Sequence, residues 1–492
     1  MTLLTVPAAE RVKAPRWLPL AAVGLAAAAM LAILPTNPDV SWGLTMAEKW
    51  LDGGRLYIDI VEVNPPATMY LYVVPVWLAR QIGVAPELTT SAFALLAVAL
   101  SLWIAARIVH AAKLISAQQA WPLLAITAAV LTLLSGRSFA EREQIALIAL
   151  MPLLAVNWVR AVRLTPSWRM ALIAGIGAGI TSIIKPYFAA AVLCSGLAAA
   201  VSARSWRVLF ALENCVAAAV LAGYFVFVWR AYPVYVTDMM PLLATVYVPL
   251  KEPLGTLLIH EAMPLWVLML LLLWMLLRTD LLKPPLSLLL AASAGFAVAY
   301  VVQQKGWLNH AFPMLALALL ALAYATFMTE RHKRGSVLAT LLIAGIACFW
   351  MIRAEDRSAL AAPIRAVAPH ARVLAISPHL TVGHPAVREA GGVWVSRVSA
   401  LWITQGVLMI RAQGHLEPGL AARLDAYAER DRRMLIEDIV NNRPDVILAQ
   451  REPEIDWLAW ARSDPVLAAE LNGYALAGTL DDIAVLRRKG EK

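Results

Sequence analysis

The sequence predicts a polytopic α-helical membrane protein carrying a small α/β domain at its C-terminal end, on the extracytoplasmic side. Three observations predict it. Of 492 residues, 61% are hydrophobic and 15% charged, whereas an ordinary globular protein is about half apolar and about a quarter charged. Apolar runs approaching the roughly 20 residues of a membrane span recur along the first 352 residues. The segments between them divide into basic ones and others, and the two kinds alternate.

The net charge of +9 does not point to nucleic acid. The basic residues sit in short clusters between apolar runs, as cytoplasmic loops do, and anionic lipid headgroups are their simplest partners. Cys194, Cys215 and Cys348 lie inside apolar runs with no CxxC spacing, so neither a disulfide framework nor a cysteine-metal site is expected.

Taken in order, the amino terminus MTLLTVPAAERVKAPR is basic and leads into an apolar run at 16–35 with no small-residue cleavage site after it. It reads as an uncleaved first helix. Further spans are expected near 88–106, 120–135, 144–160, 170–184, 187–203, 208–230, 264–277, 285–302, 309–328 and 335–352, about eleven in all. The basic connections are RVKAPR, RIVHAAK, RAVRLTPSWR, ARSWR, RTDLLK and ERHKR. Placing them in the cytoplasm puts the amino terminus inside and the carboxy terminus outside. Segment 66–83 is apolar but short and carries Pro75; counted as a span it would reverse every later loop, so it reads as a helix lying in the outer interface.

After residue 352 the character changes. RVLAI (372–376) and DVILA (445–449) read as buried strands, 422–443 as an amphipathic helix and 474–488 as a strand pair. The expected division is therefore 1–352, including a first extracytoplasmic loop at 36–87, and a soluble domain at 353–492. Without a phosphate loop or a catalytic triad, this domain reads as a cap or an acceptor-recognition module.

The first loop, TNPDVSWGLTMAEKWLDGGRLYIDIVEVNPP (36–66), is where chemistry concentrates. SWGLTMAEKWL has the pattern of a short amphipathic helix stopped by Gly53-Gly54. Asp39 precedes it, and two readings stand: a helix cap or a catalytic carboxylate at the membrane rim. SFAEREQIALIAL places Glu141, Arg142 and Glu143 before another span, IKPYFAA ends a span on Lys185, and QQKGWLNHAFP puts Lys305 and His310 at a further membrane edge.

The order of these landmarks, from NPDVSW and VNPPATMYLY to QQKGWLNHAFP, resembles the GT-C superfamily of membrane glycosyltransferases over about residues 16 to 330. The likeness is greatest to polyprenyl-phosphate-sugar-dependent members of the aminoarabinose transferase and protein O-mannosyltransferase kind. It implies an inverting transferase moving a sugar from a polyprenyl-phosphate donor to an extracytoplasmic glycan, lipid or protein acceptor, in a bacterial inner (plasma) membrane.

On that resemblance Asp39 is the general base, with Glu143 and then Glu141 as further catalytic carboxylates. Where many relatives carry Asp-Glu this chain has Asp39-Val40, and Asn64 stands where many carry Lys. Phosphate binding then falls to Lys185, Lys305 and His310, with Arg142 beside them. Asp59, Glu62, Asn64 and His260 are expected to support the loop or the acceptor. A divalent ion, Mg or Mn, is compatible with the carboxylates but not required. Two other functions remain open at this point: a lipid-linked sugar transporter or flippase, and an oligosaccharide polymerase or ligase using a diphosphate carrier.

Overall fold

A computed structural model describes residues 15–328, 333–353 and 355–490; most of the basic stretch at 11–16 and residues 330–332 of the ERHKR cluster lie outside them. All eleven expected runs are helical. They comprise α1 (Leu18–Ile33), then, after α2 (Pro38–Leu51) and α3 (Ala67–Ile82), α4 (Pro86–Ala111), α5 (Ala117–Thr132), α6 (Arg142–Ala161), α7 (Trp168–Ile184), α8 (Ala189–Ala203) and α9 (Leu212–Ala231). Helices Ala262–Leu277, Leu286–Gln303, Leu308–Met328 and Lys333–Ile352 complete the set.

Seven of these are long and apolar enough to cross a membrane alone, and an eighth arises if α1 and α2 form one path bent by 78°. By length and composition alone, then, seven or eight of the eleven expected spans qualify among the described residues. The other three, α5, α7 and Ala262–Leu277, have 16, 17 and 16 residues, close to the about 17 at the short end of the range for a span.

The bend between α1 and α2 follows from the sequence Pro35-Thr36-Asn37-Pro38. Asn37 is extended, and its side-chain oxygen accepts from the backbone N–H of Asp39 (2.7 Å) and Val40 (3.2 Å), with Pro38 opening the helix. The cap is therefore Asn37, which leaves the Asp39 carboxylate free for other work. At the far end Gly53 takes a φ of 94°, a left-handed geometry that suits glycine. Segment 66–83 is α3, packed on α2 and α4. The approach to α2 is so close that a Cβ on Gly43 would lie 2.4 Å from the Tyr72 ring.

Helix Leu308–Met328 and α6 form the buried centre of the bundle, and α9 lies at its edge with Phe225, Val226 and Trp229 exposed. The two central helices begin at the same end of the bundle, where α7 and Leu286–Gln303 finish, and there the charged residues collect.

Beyond residue 353 the chain forms a five-stranded mixed sheet. Its strands are β1 (Arg372–Ile376), β2 (Val393–Trp394), β3 (Val446–Gln450), β4 (Tyr474–Leu480) and β5 (Ile483–Arg488), in the order β2-β1-β3-β5-β4. β1 runs parallel to β2 and β3, whereas β5 is antiparallel to β3 and β4. The expected strands, the strand pair and the amphipathic helix, here Pro418–Asn442, are all present. The short β2 and helix Trp402–Ala412 were not foreseen.

This region does not hang free of the bundle. One apolar core joins Trp42, Met46 and Tyr57 of the first loop to Val373 and Val446 of the sheet. The backbone N–H of Val61 donates to the carbonyl of Arg397 (2.8 Å), and the Lys49 ammonium to that of Ser396 (2.5 Å).

Candidate active site at the helix ends

Local backbone geometry brings the site together. In SGRSFAEREQ a 3-10 turn, Gly136–Ser138, is followed by Ala140 at φ 63°, a left-handed conformation costing a non-glycine residue about 1–2 kcal/mol. The turn is held from both sides. The N–H of Ala140 donates to the side chain of Gln144 (2.5 Å), its carbonyl accepts from the Tyr72 hydroxyl (3.1 Å), and Gln144 is itself tied to the Leu131 carbonyl (2.7 Å). Strain so over-determined is characteristic of working sites. It releases Glu141, Arg142 and Glu143 in different directions at the start of α6.

Arg142 turns to the first loop, and its guanidinium donates to the Asp39 carboxylate at 2.8 Å. Arg142 is buried, whereas the Asp39 side chain keeps 31% exposure, making it the cluster's carboxylate that a solvent-borne molecule can reach. Glu143 turns inward and is fully buried, accepting from Lys185 at 2.5 Å. Lys185 reaches it because Pro186 forbids a helical residue before it; the chain is extended there (φ −142°, ψ 118°), and the side chain leaves the α7 axis. The Lys185 ammonium also meets Gln303 (3.3 Å) and Nε2 of His310 (2.8 Å).

An ammonium has only donors, so Nε2 of His310 is the acceptor and the ring proton resides on Nδ1. Among the described residues neither that Nδ1 nor Oε2 of Glu143 has a partner, though both are buried. Glu141, also buried, accepts from Asn309 at 3.3 Å. Burial, with the charges of Asp39 and Glu143 close by, raises it well above the usual carboxylate range.

The structure thus unites Asp39, Glu141, Arg142, Glu143, Lys185 and His310. Lys305 occupies a different position. Its ammonium donates to the carbonyls of Tyr247 (3.0 Å) and Leu250 and lies 4.1 Å from the centre of the Tyr247 ring. It pins residues 243–250 across the site, and burial, with Lys251 nearby, lowers it to about 8. Glu62 is buried and accepts from Trp42 (2.6 Å) and Asn64 (2.9 Å), while Tyr57 donates to the Asn64 carbonyl (2.8 Å). This pair is part of the wall. Asp59 pairs on the exposed side with Arg55 (2.8 Å), and His260 neighbours Glu261 (3.5 Å) and the Trp350 ring; neither contacts the cluster.

Two carboxylates of the cluster already hold a cation each, and among the described residues no group of three or more His, Cys, Asp or Glu is placed to hold a metal ion. Sequence reasoning missed Gln303, Tyr72 and Ser41, whose hydroxyl lies 3.0 Å from Nδ1 of His384 in the C-terminal region. No motif marks them; only the fold brings them close.

No protein-family model and no curated protein matches the chain. Among solved structures it is similar to ArnT from Cupriavidus metallidurans bound to undecaprenyl phosphate, with 13% identity, a TM-score of 0.56, and 95% of this chain and 97% of the other covered. The apo state of the same ArnT gives 12% identity and a TM-score of 0.54 over the same shares. The charged cluster, the capped first loop and the C-terminal sheet are therefore carried on a fold like that of ArnT, over nearly the whole chain.

Proposed function

We propose that the protein is a membrane glycosyltransferase that moves a sugar from a polyprenyl-phosphate donor to an acceptor on the extracytoplasmic face. The observation carrying this reading is the cluster Asp39–Arg142 and Glu143–Lys185–His310 at one end of the bundle, in which, among the described residues, the buried Oε2 of Glu143 and Nδ1 of His310 have no partner. The ArnT fold supports it, since that protein is seen with undecaprenyl phosphate.

The chemistry follows from the groups. The acceptor hydroxyl attacks the anomeric carbon as the bond from that carbon to the phosphate oxygen breaks, and the electron pair leaves with the phosphate. The acceptor's proton passes to Asp39, the exposed carboxylate, acting as general base. Charge developing on the phosphate is met by the positive charge of Lys185, whose own N–H groups are held by Glu143, Gln303 and His310, and by a hydrogen bond from the Nδ1–H of His310, both fixed in place in a site of low dielectric. Glu143 holds Lys185 at its post and Arg142 does the same for Asp39. Backside attack opposite the phosphate inverts the anomeric carbon. In this reading the amino terminus is cytoplasmic and the C-terminal region extracytoplasmic, as the alternation of basic loops supports.

The test uses protein in lipid nanodiscs, a panel of polyprenyl-phosphate sugars and an envelope fraction supplying acceptors. Wild type consumes at least one donor. Asp39→Asn binds that donor as wild type does but turns it over about 10²–10⁴-fold more slowly. Wild-type turnover retained in Asp39→Asn removes the base assignment, and binding without consumption across the panel removes the transferase reading.

A further inference from the structure

A cavity of about 440 Å³, lined by none of the charged-cluster residues, lies between helices Trp402–Ala412 and Pro418–Asn442 and the turn at 460–465. Its size is that of a small-molecule site. One wall is the half-buried indole of Trp460, fixed in orientation by the buried Trp457, whose ring lies edge-on at 5.6 Å. Opposite stand two guanidinium–carboxylate pairs: Arg411 with Asp425, and Arg432 with Glu429 and, at 3.0 Å, Asp464. Asp425, Glu429 and Arg432 fall on one face of the long helix at intervals of three and four residues. Apolar contact comes from Val407 and Leu408.

The combination selects a ligand class. Three carboxylates against two guanidinium groups leave the lining slightly negative, which disfavours phosphate and other anions. An apolar ligand would strip water from those five charges without replacing its hydrogen bonds. A neutral saccharide satisfies both walls. The C–H face of a pyranose lies on an indole, and its vicinal hydroxyls both donate to carboxylates and accept from the paired N–H groups of a guanidinium.

The cavity also has a physical link to the first site. Helix Trp402–Ala412, which forms its near wall, packs so closely on residues 243–250 that a Cβ at Gly406 would fall 2.5 Å from the Val246 side chain. Trp402 meets Tyr247 edge-on at 6.0 Å, and Tyr247 carries Lys305 on its other contacts. We infer that this cavity is a saccharide-binding subsite through which the C-terminal region holds a glycan acceptor. Its acceptor role rests on the transferase reading; its ligand class does not.

The experiment titrates the full-length protein in nanodiscs, without donor, with neutral gluco-, manno-, arabino- and N-acetylglucosamine oligosaccharides. Binding is followed by saturation-transfer NMR and tryptophan fluorescence. At least one series saturates, and Trp460→Ala weakens it about tenfold or more. Asp425→Asn, at the exposed rim where folding is not at stake, weakens it as well. Failure of every oligosaccharide to saturate, affinity unchanged in both variants, or inorganic phosphate or an acidic peptide competing for the cavity overturns the assignment. Saccharide binding with no donor consumption removes the transferase reading and keeps the subsite. Donor consumption with no saccharide binding removes the subsite alone.

Discussion

Two buried charge networks in this protein look alike in composition and differ in completeness. At the junction of bundle and C-terminal region, Arg388 engages all three of its guanidinium nitrogens: Nε to Glu87 at 2.6 Å and, as a fork, the other two to Glu48 at 2.5 and 2.9 Å. At the helix ends, Glu143, Lys185 and His310 form a chain that leaves Oε2 of Glu143 and Nδ1 of His310 without partners among the described residues. A satisfied network fastens two parts of a structure. A network with buried atoms in reserve carries a standing cost, and proteins retain such a cost where another molecule supplies the missing partners. On this criterion the first network is a fastening and the second a site.

The comparison breaks most sharply at Lys185. Lys185→Met leaves Glu143 buried without its cation, which costs about 3–5 kcal/mol and should appear as a large drop in thermal stability in detergent or nanodiscs. Adding Glu143→Gln removes the orphaned charge and should restore most of the stability without restoring turnover. If the single variant melts like wild type, Lys185 does not neutralise Glu143 in the folded protein. If the double variant is active, Lys185 has no part in the chemistry.

Another buried carboxylate tests whether unpaired atoms always mark a site for chemistry. Asp431 is 1% exposed and accepts twice from Thr404, through its backbone N–H (3.0 Å) and hydroxyl (2.7 Å), while Oδ1 has no partner among the described residues. Burial pushes it up to about 6. A carboxylate raised in the folded state binds its proton more tightly there than in the unfolded chain. Its contribution therefore becomes less favourable as pH rises from the unfolded value of 3.8 to about 6, by up to about 3 kcal/mol, and stays constant above. Hydrogen exchange in helix Pro418–Asn442 should show this slope in wild type and its absence in Asp431→Asn. Equal pH profiles for the two proteins would mean that water relieves Asp431 in solution.

Much of the bundle was legible because a span is written in a property that survives without knowledge of the fold, a long apolar run, and because loop charges were readable separately. The strands of the C-terminal sheet were legible for the same reason, as RVLAI and DVILA are short runs between polar stretches. The site was legible in part. Asp39, Glu143 and Lys185 each stood out as a charge beside an apolar run, where ionisable groups are costly and so mean something. Their partners were not legible: Arg142 meets Asp39 across 103 positions, and Lys185 meets His310 across 125. Lys305 was expected at a helix end and lies between helices Leu286–Gln303 and Leu308–Met328, but the carbonyls of Tyr247 and Leu250 that it binds come from some fifty positions away in the chain. Single-residue chemistry is local, whereas pairing is a product of topology.

The smallest expected effect sharpens the comparison from the side of the fastening. Glu48 and Glu87 keep 29% and 30% side-chain exposure, so water can take over much of what Arg388 supplies, and Arg388→Ala should cost only about 1–2 kcal/mol. Turnover per folded molecule should stay near wild type, because no atom of Arg388 faces the charged cluster and Asn37 caps α2 independently. A variant that folds but turns over poorly would show that the grip of the C-terminal region on α2 sets the position of Asp39. Arg388 would then act through α2 as a positioning residue, and completeness of hydrogen bonding would cease to separate a fastening from a site.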